Sequence, residues 1–148
     1  MELVNTSKLL RLNEGSETHV YQDTKGIWTI GVGRNVDQSF GGPGLRQSEI
    51  DFMLQNDMME HYTNLVRAIP WFNSLSDVRQ AVLVDMAHNL KGNVYGVLKF
   101  QNFLAALASE RWIEAGNHLM DSKYATDVPL RALRNKTMIV GNKWPKGI

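Results

Sequence analysis

The stretch LLRLNEGSETHVYQDTKGIWTIGVGRN, residues 9–35, decides the fold. Its left end reads as helix. Asn5, Thr6 and Ser7 are candidate caps, Leu9, Leu10 and Leu12 form an apolar stripe, and Gly15 suits the position just past a helix end. A helix over about 6–14 follows, with Glu14 as its last residue. Two β-rich runs come next, His19 to Gln22 and Ile27 to Val32. The four residues between them, Asp23-Thr24-Lys25-Gly26, put Asp first and Gly last, as a tight turn between antiparallel strands favours. The stretch therefore predicts a helix feeding a β-hairpin. Residues 33–45, with Gly41, Gly42, Pro43 and Gly44 close together, read as loop.

Beyond that loop the apolar period becomes helical. Ile50, Met53, Leu54, Met58, Tyr62, Leu65, Val66 and Ile69 recur at three- and four-residue steps, which predicts a helix of about twenty residues stopped by Pro70. Ser76 caps a helix running to about Asn89, whose centre, AVLVDMA, is apolar nearly all round and so belongs in a core. Gly92 and Gly96 break the pattern. Shorter helices are expected at about 100–108 and 110–121, and Pro129 occupies the first position of a last one ending near Gly141. The seven methionines fall mostly at core-like spacing. The fold class is α+β: one domain over 1–148, with a β-containing lobe at about 14–60, a helical lobe at about 61–148, and a long helix able to join them. Clefts favour such lobe boundaries.

Composition narrows the chemistry. The chain has 148 residues, 43% hydrophobic and 21% charged, the profile of a globular protein. With no cysteine, disulfides, thiolate metal sites and cysteine nucleophiles are excluded together. No His-Glu-x-x-His occurs, and His19, His61, His88 and His118 show no ligand spacing, so no metal or other cofactor is expected. Gly31-Val32-Gly33 lacks the third glycine of a dinucleotide fingerprint, since Val36 stands there. No apolar run reaches the length of a membrane span, and the first residues lack the basic and apolar regions of a secretory signal. The net charge is +1, but the basic residues gather in the second half. Arg131, Arg134, Lys136, Lys143 and Lys146 lie in the last twenty residues with no acid among them. That surface suits an anionic polymer such as a bacterial wall, or is a solvated helix face. Without aromatic–basic interleaving or zinc-finger spacing, nucleic acid is not an expected partner.

Glu14, Asp23 and Thr29 each have an ordinary reading alone: a surface acid, a turn residue and a strand residue. Together they suggest acid–base chemistry. The partial negative charge at a helix's C-terminal end disfavours an ionised Glu14, as a proton donor requires. A hydrated turn keeps Asp23 charged, which suits a general base. Two carboxyl groups in different surroundings are what acid-catalysed glycosidic cleavage needs.

These residues also carry a family resemblance. From Leu10 to Asn35 the chain resembles phage-type lysozymes (endolysins) of glycoside hydrolase family 24, which includes the lysozyme of T-even bacteriophages. The shared pattern is Glu, eight residues, Asp, five residues, Thr, with Asp-x-x-Gly at the turn and Thr-Ile-Gly-x-Gly after it. Here it stands as Glu14-Gly15, Asp23 to Gly26, and Thr29-Ile30-Gly31-Val32-Gly33. The segment SLSDVRQAVLVDM, residues 74–86, is similar to the family's central helix. Phe100-Gln101-Asn102, Arg111 to Ala115, and Pro129, Arg131, Arg134 and Trp144 match more thinly.

The resemblance implies a lysozyme-like fold, its N-terminal helix packed on the rear lobe. It implies hydrolysis of the β-1,4 bond between N-acetylmuramic acid and N-acetylglucosamine in bacterial peptidoglycan, with inversion. Glu14 would protonate the leaving oxygen, Asp23 would activate water, and Thr29 would hold that water. Arg131 matches an arginine that pairs with the catalytic glutamate. Asn35, His88, Phe103 and His118 fall where the family lines its glycan cleft, with differing residue types. Arg34 stands where many members have histidine, and its expected role is to hold the β-lobe to the long helix. With no export signal visible, the protein is expected to accumulate in the bacterial host cytoplasm as a monomer and to need a holin to reach the wall. A lytic transglycosylase-like enzyme and a non-catalytic wall-binding or virion module are the alternative readings.

Overall fold

The computed structural model describes residues 3–147. Among them are eight α-helices and one three-stranded antiparallel sheet, which is an α+β, lysozyme-like arrangement. They form two compact units, one running through Met53 and the other starting at Leu54.

The first unit begins with helix α1, Leu3–Glu14. Asn5, Thr6 and Ser7, expected as caps, lie inside its first turns. The predicted end is observed: Gly15 has φ +76°, and its N–H donates to the Arg11 carbonyl at 3.0 Å. Strands β1 (Glu17–Gln22), β2 (Trp28–Gly31) and β3 (Arg34–Asn35) follow in sheet order β1-β2-β3. Register pairs Tyr21 with Thr29 and Thr29 with Asn35, so Thr29 lies in the central strand with Asn35 beside it. The hairpin is as expected. The third strand is not, because 33–45 reads as loop. A two-residue connection, Val32-Gly33, with Gly33 at φ +67°, turns the chain back onto β2. A 3₁₀ turn, Gln38–Phe40, stands within the remaining loop, and Asp37 accepts the Ser39 N–H at 2.9 Å to start it.

Helix α2 spans Gln47–Ala68, and the boundary between the units falls within it. Arg34 forms an ion pair from β3 to Glu49 on α2, the strand-to-helix tie expected of it. The backbone N–H of Arg46 binds Glu49 as well, and these partners hold its carboxyl below the usual range against the opposing effect of burial.

The second unit carries the hydrophobic core. Helices α3 (Asp77–Asn89), α4 (Asn93–Leu98), α5 (Gln101–Ala108), α6 (Trp112–Met120), α7 (Lys123–Asp127) and α8 (Pro129–Gly141) surround it. Leu65, Phe72, Leu83, Met86, Leu119 and Ile139 are fully buried there. Ser76 occupies the N-cap position of α3 as expected, and Pro129 the first turn of α8. Gly96 does not break a helix; it sits in α4. A Cβ there would stand 2.8 Å from the Lys91 carbonyl and 2.9 Å from Leu90 Cβ, so only glycine lets this short helix approach the preceding chain so closely. The methionine reading holds for Met86 and Met138, which are buried. Met53, Met58 and Met59 on α2 are exposed, because the core cluster includes α2 only from Leu65 onward.

Candidate functional site

In the first unit, local geometry places the three candidate residues. Glu14 is the last residue of α1, exposed, with its side chain lying against the β2–β3 turn. A Cβ built on Gly33 would stand 2.6 Å from Glu14 Oε2, 3.1 Å from its Cδ and 3.2 Å from its Cγ. The carboxyl therefore rests over a bare backbone position.

Asp23 and Thr29 are joined through the backbone of one residue, Ile27. The Asp23 Oδ1 accepts the N–H groups of Lys25 at 2.8 Å and Ile27 at 2.9 Å. The Thr29 hydroxyl donates to the Ile27 carbonyl at 3.0 Å. The Asp23 N–H also donates to that carbonyl, and the Gly26 N–H closes the turn on the Asp23 carbonyl at 2.9 Å. Ile27 thus fixes the carboxylate from one side and the hydroxyl from the other. Both amide bonds converge on Oδ1, and Oδ2 accepts none from a described residue. Asp23 is half-buried, and Thr29 is 4% exposed. Because the Thr29 proton is spent on Ile27, this hydroxyl can only accept a hydrogen bond from a water.

Asn35, beside Thr29 in register, organises the adjoining loop. Its Oδ1 accepts the Asp37 N–H at 2.8 Å, and its Nδ2 donates to the Phe40 carbonyl at 3.2 Å.

The second unit holds the other candidates. Phe103 is 1% exposed and part of the core, and its edge borders a groove of about 470 Å³ shared with His118, Lys99, Gln101, Asp121 and Ser122. His118 Nε2 lies 3.4 Å from Glu114 Oε1. His88 is exposed and packs its ring against buried His61, with centroids 5.5 Å apart and planes at 73°. His88 also lines an apolar groove of about 520 Å³ with Leu54, Met58, Tyr62, Val84 and Trp144. That groove contains none of Glu14, Asp23 and Thr29.

Arg131 is committed to Asp85 on α3. Its Nε reaches Oδ1 at 3.1 Å and Oδ2 at 2.9 Å, and its Nη2 reaches Oδ1 at 2.6 Å and the Asp85 carbonyl at 3.3 Å. Asn135, 2% exposed, adds a bond from Nδ2 to Oδ2 at 2.9 Å and another to the Tyr124 hydroxyl at 3.2 Å. Burial opposes ionisation of Asp85, but hydrogen bonds from Arg131 and Asn135 and the charges of Arg131 and Arg134 outweigh it, so its carboxyl is held below the usual range. Burial, then the Asp85 charge, pushes the Tyr124 phenol up to about 12. Sequence reading did not find Asp85, Asn135 or Tyr124. A signal existed: one acid inside the otherwise apolar AVLVDMA requires a partner.

Among the described residues no group of three or more His, Cys, Asp or Glu side chains could hold a metal ion. No described helix is long and apolar enough to cross a membrane.

Comparison with known proteins gives one consistent picture. The family model described as phage lysozyme matches residues 11–137. Among curated proteins the chain is similar to "Probable T4-type lysozyme 2" of Dictyostelium discoideum, 24% identical, with 85% of this chain and 88% of that protein covered. It is also similar to "Probable T4-type lysozyme 1" of the same organism, 22% identical, with the same shares covered.

Proposed function

The chain belongs to the phage lysozyme family, and on that premise we propose that Glu14, Asp23 and Thr29 are its hydrolytic centre. As a family member it is a glycoside hydrolase of the lysozyme type. The substrate in this reading is bacterial peptidoglycan, cut at the β-1,4 bond between N-acetylmuramic acid and N-acetylglucosamine. Glu14 gives its proton to the glycosidic oxygen as the C1–O bond breaks. A water attacks C1 from the opposite face and passes its proton to Asp23, so the anomeric configuration inverts. Such a pair works with carboxyl groups about 6.5–9.5 Å apart, which leaves room for the water.

The observation that supports the reading is the shared use of the Ile27 backbone, through its N–H and its carbonyl. It holds one Asp23 oxygen and the Thr29 hydroxyl, leaving Asp23 Oδ2 and a Thr29 lone pair as acceptors for a nucleophilic water. Asn35, His88 and His118 are proposed as glycan contacts, and Arg131 as a supporting residue; Phe103, 1% exposed within the core, is a packing residue instead. The biological setting that fits is phage lysis of a bacterial host, by a monomer that accumulates in the cytoplasm and depends on a holin.

The test is Glu14→Gln in a turbidity assay on outer-membrane-permeabilised bacteria, with circular dichroism to confirm folding. Lysis should fall at least ~100-fold, the scale of a lost general acid. A folded variant that still lyses cells removes Glu14 from the mechanism. Product analysis on the parent enzyme should show an inverted reducing end. A 1,6-anhydro sugar would instead identify a transglycosylase.

A further inference from the structure

We propose that Gly33 is a positioning residue for the Glu14 carboxyl group, and that its lack of a side chain sets where the acid can stand. The inference rests on the reading of Glu14 as general acid. Gly33 lies in the two-residue connection between β2 and β3, at φ +67°. The nearest atoms to a Cβ at this position are all from one side chain: Oε2, Cδ and Cγ of Glu14, at 2.6, 3.1 and 3.2 Å. Carbon and oxygen atoms pack comfortably at about 3.5 Å, so a methyl group here would overlap Oε2 by roughly 1 Å.

Which atoms yield decides the consequence. The three atoms belong to the outer part of an exposed, flexible side chain rather than to backbone. The fold can therefore survive a substitution while the carboxyl swings away. In acid catalysis a displacement of that size can cost about 100-fold, because the proton must lie within hydrogen-bond reach of the leaving oxygen. Glycine at 33 is thus required twice, for its φ and for the space above it.

Those two requirements can be separated inside the same turn. Gly31 has φ +66°, almost the same backbone strain, but a Cβ there meets nothing within 4 Å. Gly31→Ala carries the conformational cost alone, whereas Gly33→Ala carries it together with the overlap. Both variants should lose similar thermal stability. Gly33→Ala should lower kcat about 100-fold with KM within about threefold of the parent, and Gly31→Ala should leave kcat within about threefold. In the double variant Glu14→Gln/Gly33→Ala the second change should have no further effect on rate, since it acts only through Glu14.

Equal kcat values for Gly31→Ala and Gly33→Ala would overturn the proposal, as would a further loss in the double variant. If Gly33→Ala does not fold, Gly33→Asn replaces it, because asparagine tolerates positive φ while still presenting a Cβ. The parent reading fails separately: lysis by Glu14→Gln removes the acid itself. A dead Glu14→Gln beside an active Gly33→Ala refutes only the positioning role.

Discussion

Replacing Asp85 by alanine tests how the helical unit handles the acid in the apolar centre of α3. The carboxylate receives a fork from Arg131, with bonds of 2.6–3.1 Å, and a 2.9 Å bond from Asn135. Bonds to a charged group contribute about 1.5–3 kcal/mol each when shielded. The Arg131 and Asp85 side chains are 30% and 37% exposed, so water recovers much of the fork and about 1 kcal/mol remains from it. Asn135 is 2% exposed and would keep a buried N–H without an acceptor, a further cost of about 1 kcal/mol. The expected loss is about 2 kcal/mol, or a Tm lower by about 4–8 °C for a chain of this size. Asp85→Asn keeps the shape and one acceptor oxygen and should lose about half as much at pH 7. The pH dependence has a definite sign. Because the folded carboxyl is held below its ordinary range, the folded state binds fewer protons than the unfolded state near pH 4. The stabilisation is present above that region and is lost as pH falls through the folded-state value. Thermal melts of the parent and Asp85→Asn should therefore differ at pH 7 and converge towards pH 2. A Tm for Asp85→Ala within about 1 °C of the parent, or a gap to Asp85→Asn that does not narrow with acid, would refute the argument.

Three other outcomes are expected. An alkaline titration followed at 295 nm should show one phenol ionising at about 12, and Tyr124→Phe should remove that phase; its persistence would assign it elsewhere. Since burial and the nearby Asp85 charge raise this value above the unfolded one, the stability it carries is lost as pH rises from about 10 to 12. Phe72→Ala, at a fully buried core position, should destabilise by about 3–5 kcal/mol in urea melts, and a loss under 1 kcal/mol would mean the core closes over the gap. Arg34→His should make stability depend on pH around neutrality. The imidazolium, stabilised by Glu49, would be lost as pH rises, so the variant should lose stability across neutrality relative to the parent, which keeps a guanidinium there; equal slopes would count against the pair.

The parts of the fold that sequence reading found are those set by neighbours in the chain. Gly15 ends α1, Pro129 starts α8 and Ser76 precedes α3, each through residues within one turn. The parts that escaped it are short or nonlocal. Helices α4 and α7 have six and five residues, fewer than two turns, so no period can accumulate. Strand β3 is two residues long and exists because Gly33 turns the chain, not because its own residues favour a strand. The same division runs through the candidate site. Asp23 and Thr29 lie close in the chain, and both bind the backbone of Ile27, four residues after one and two before the other. The spacing in the motif is the hydrogen-bond geometry of a single turn. Glu14 belongs to the motif by sequence alone. Its observed neighbour, Gly33, is nineteen positions away, and the glycine shows in the sequence only as a turn former. The Asp85–Arg131 fork spans 46 residues and left only an isolated acid in an apolar helix as its trace. A spacing rule can therefore place Asp23 and Thr29 together, but not Glu14. The Glu14 carboxyl lies against backbone that the β2–β3 connection brings to it, and substitutions at Gly33, rather than within the motif's three named residues, test most directly whether that contact sets its place.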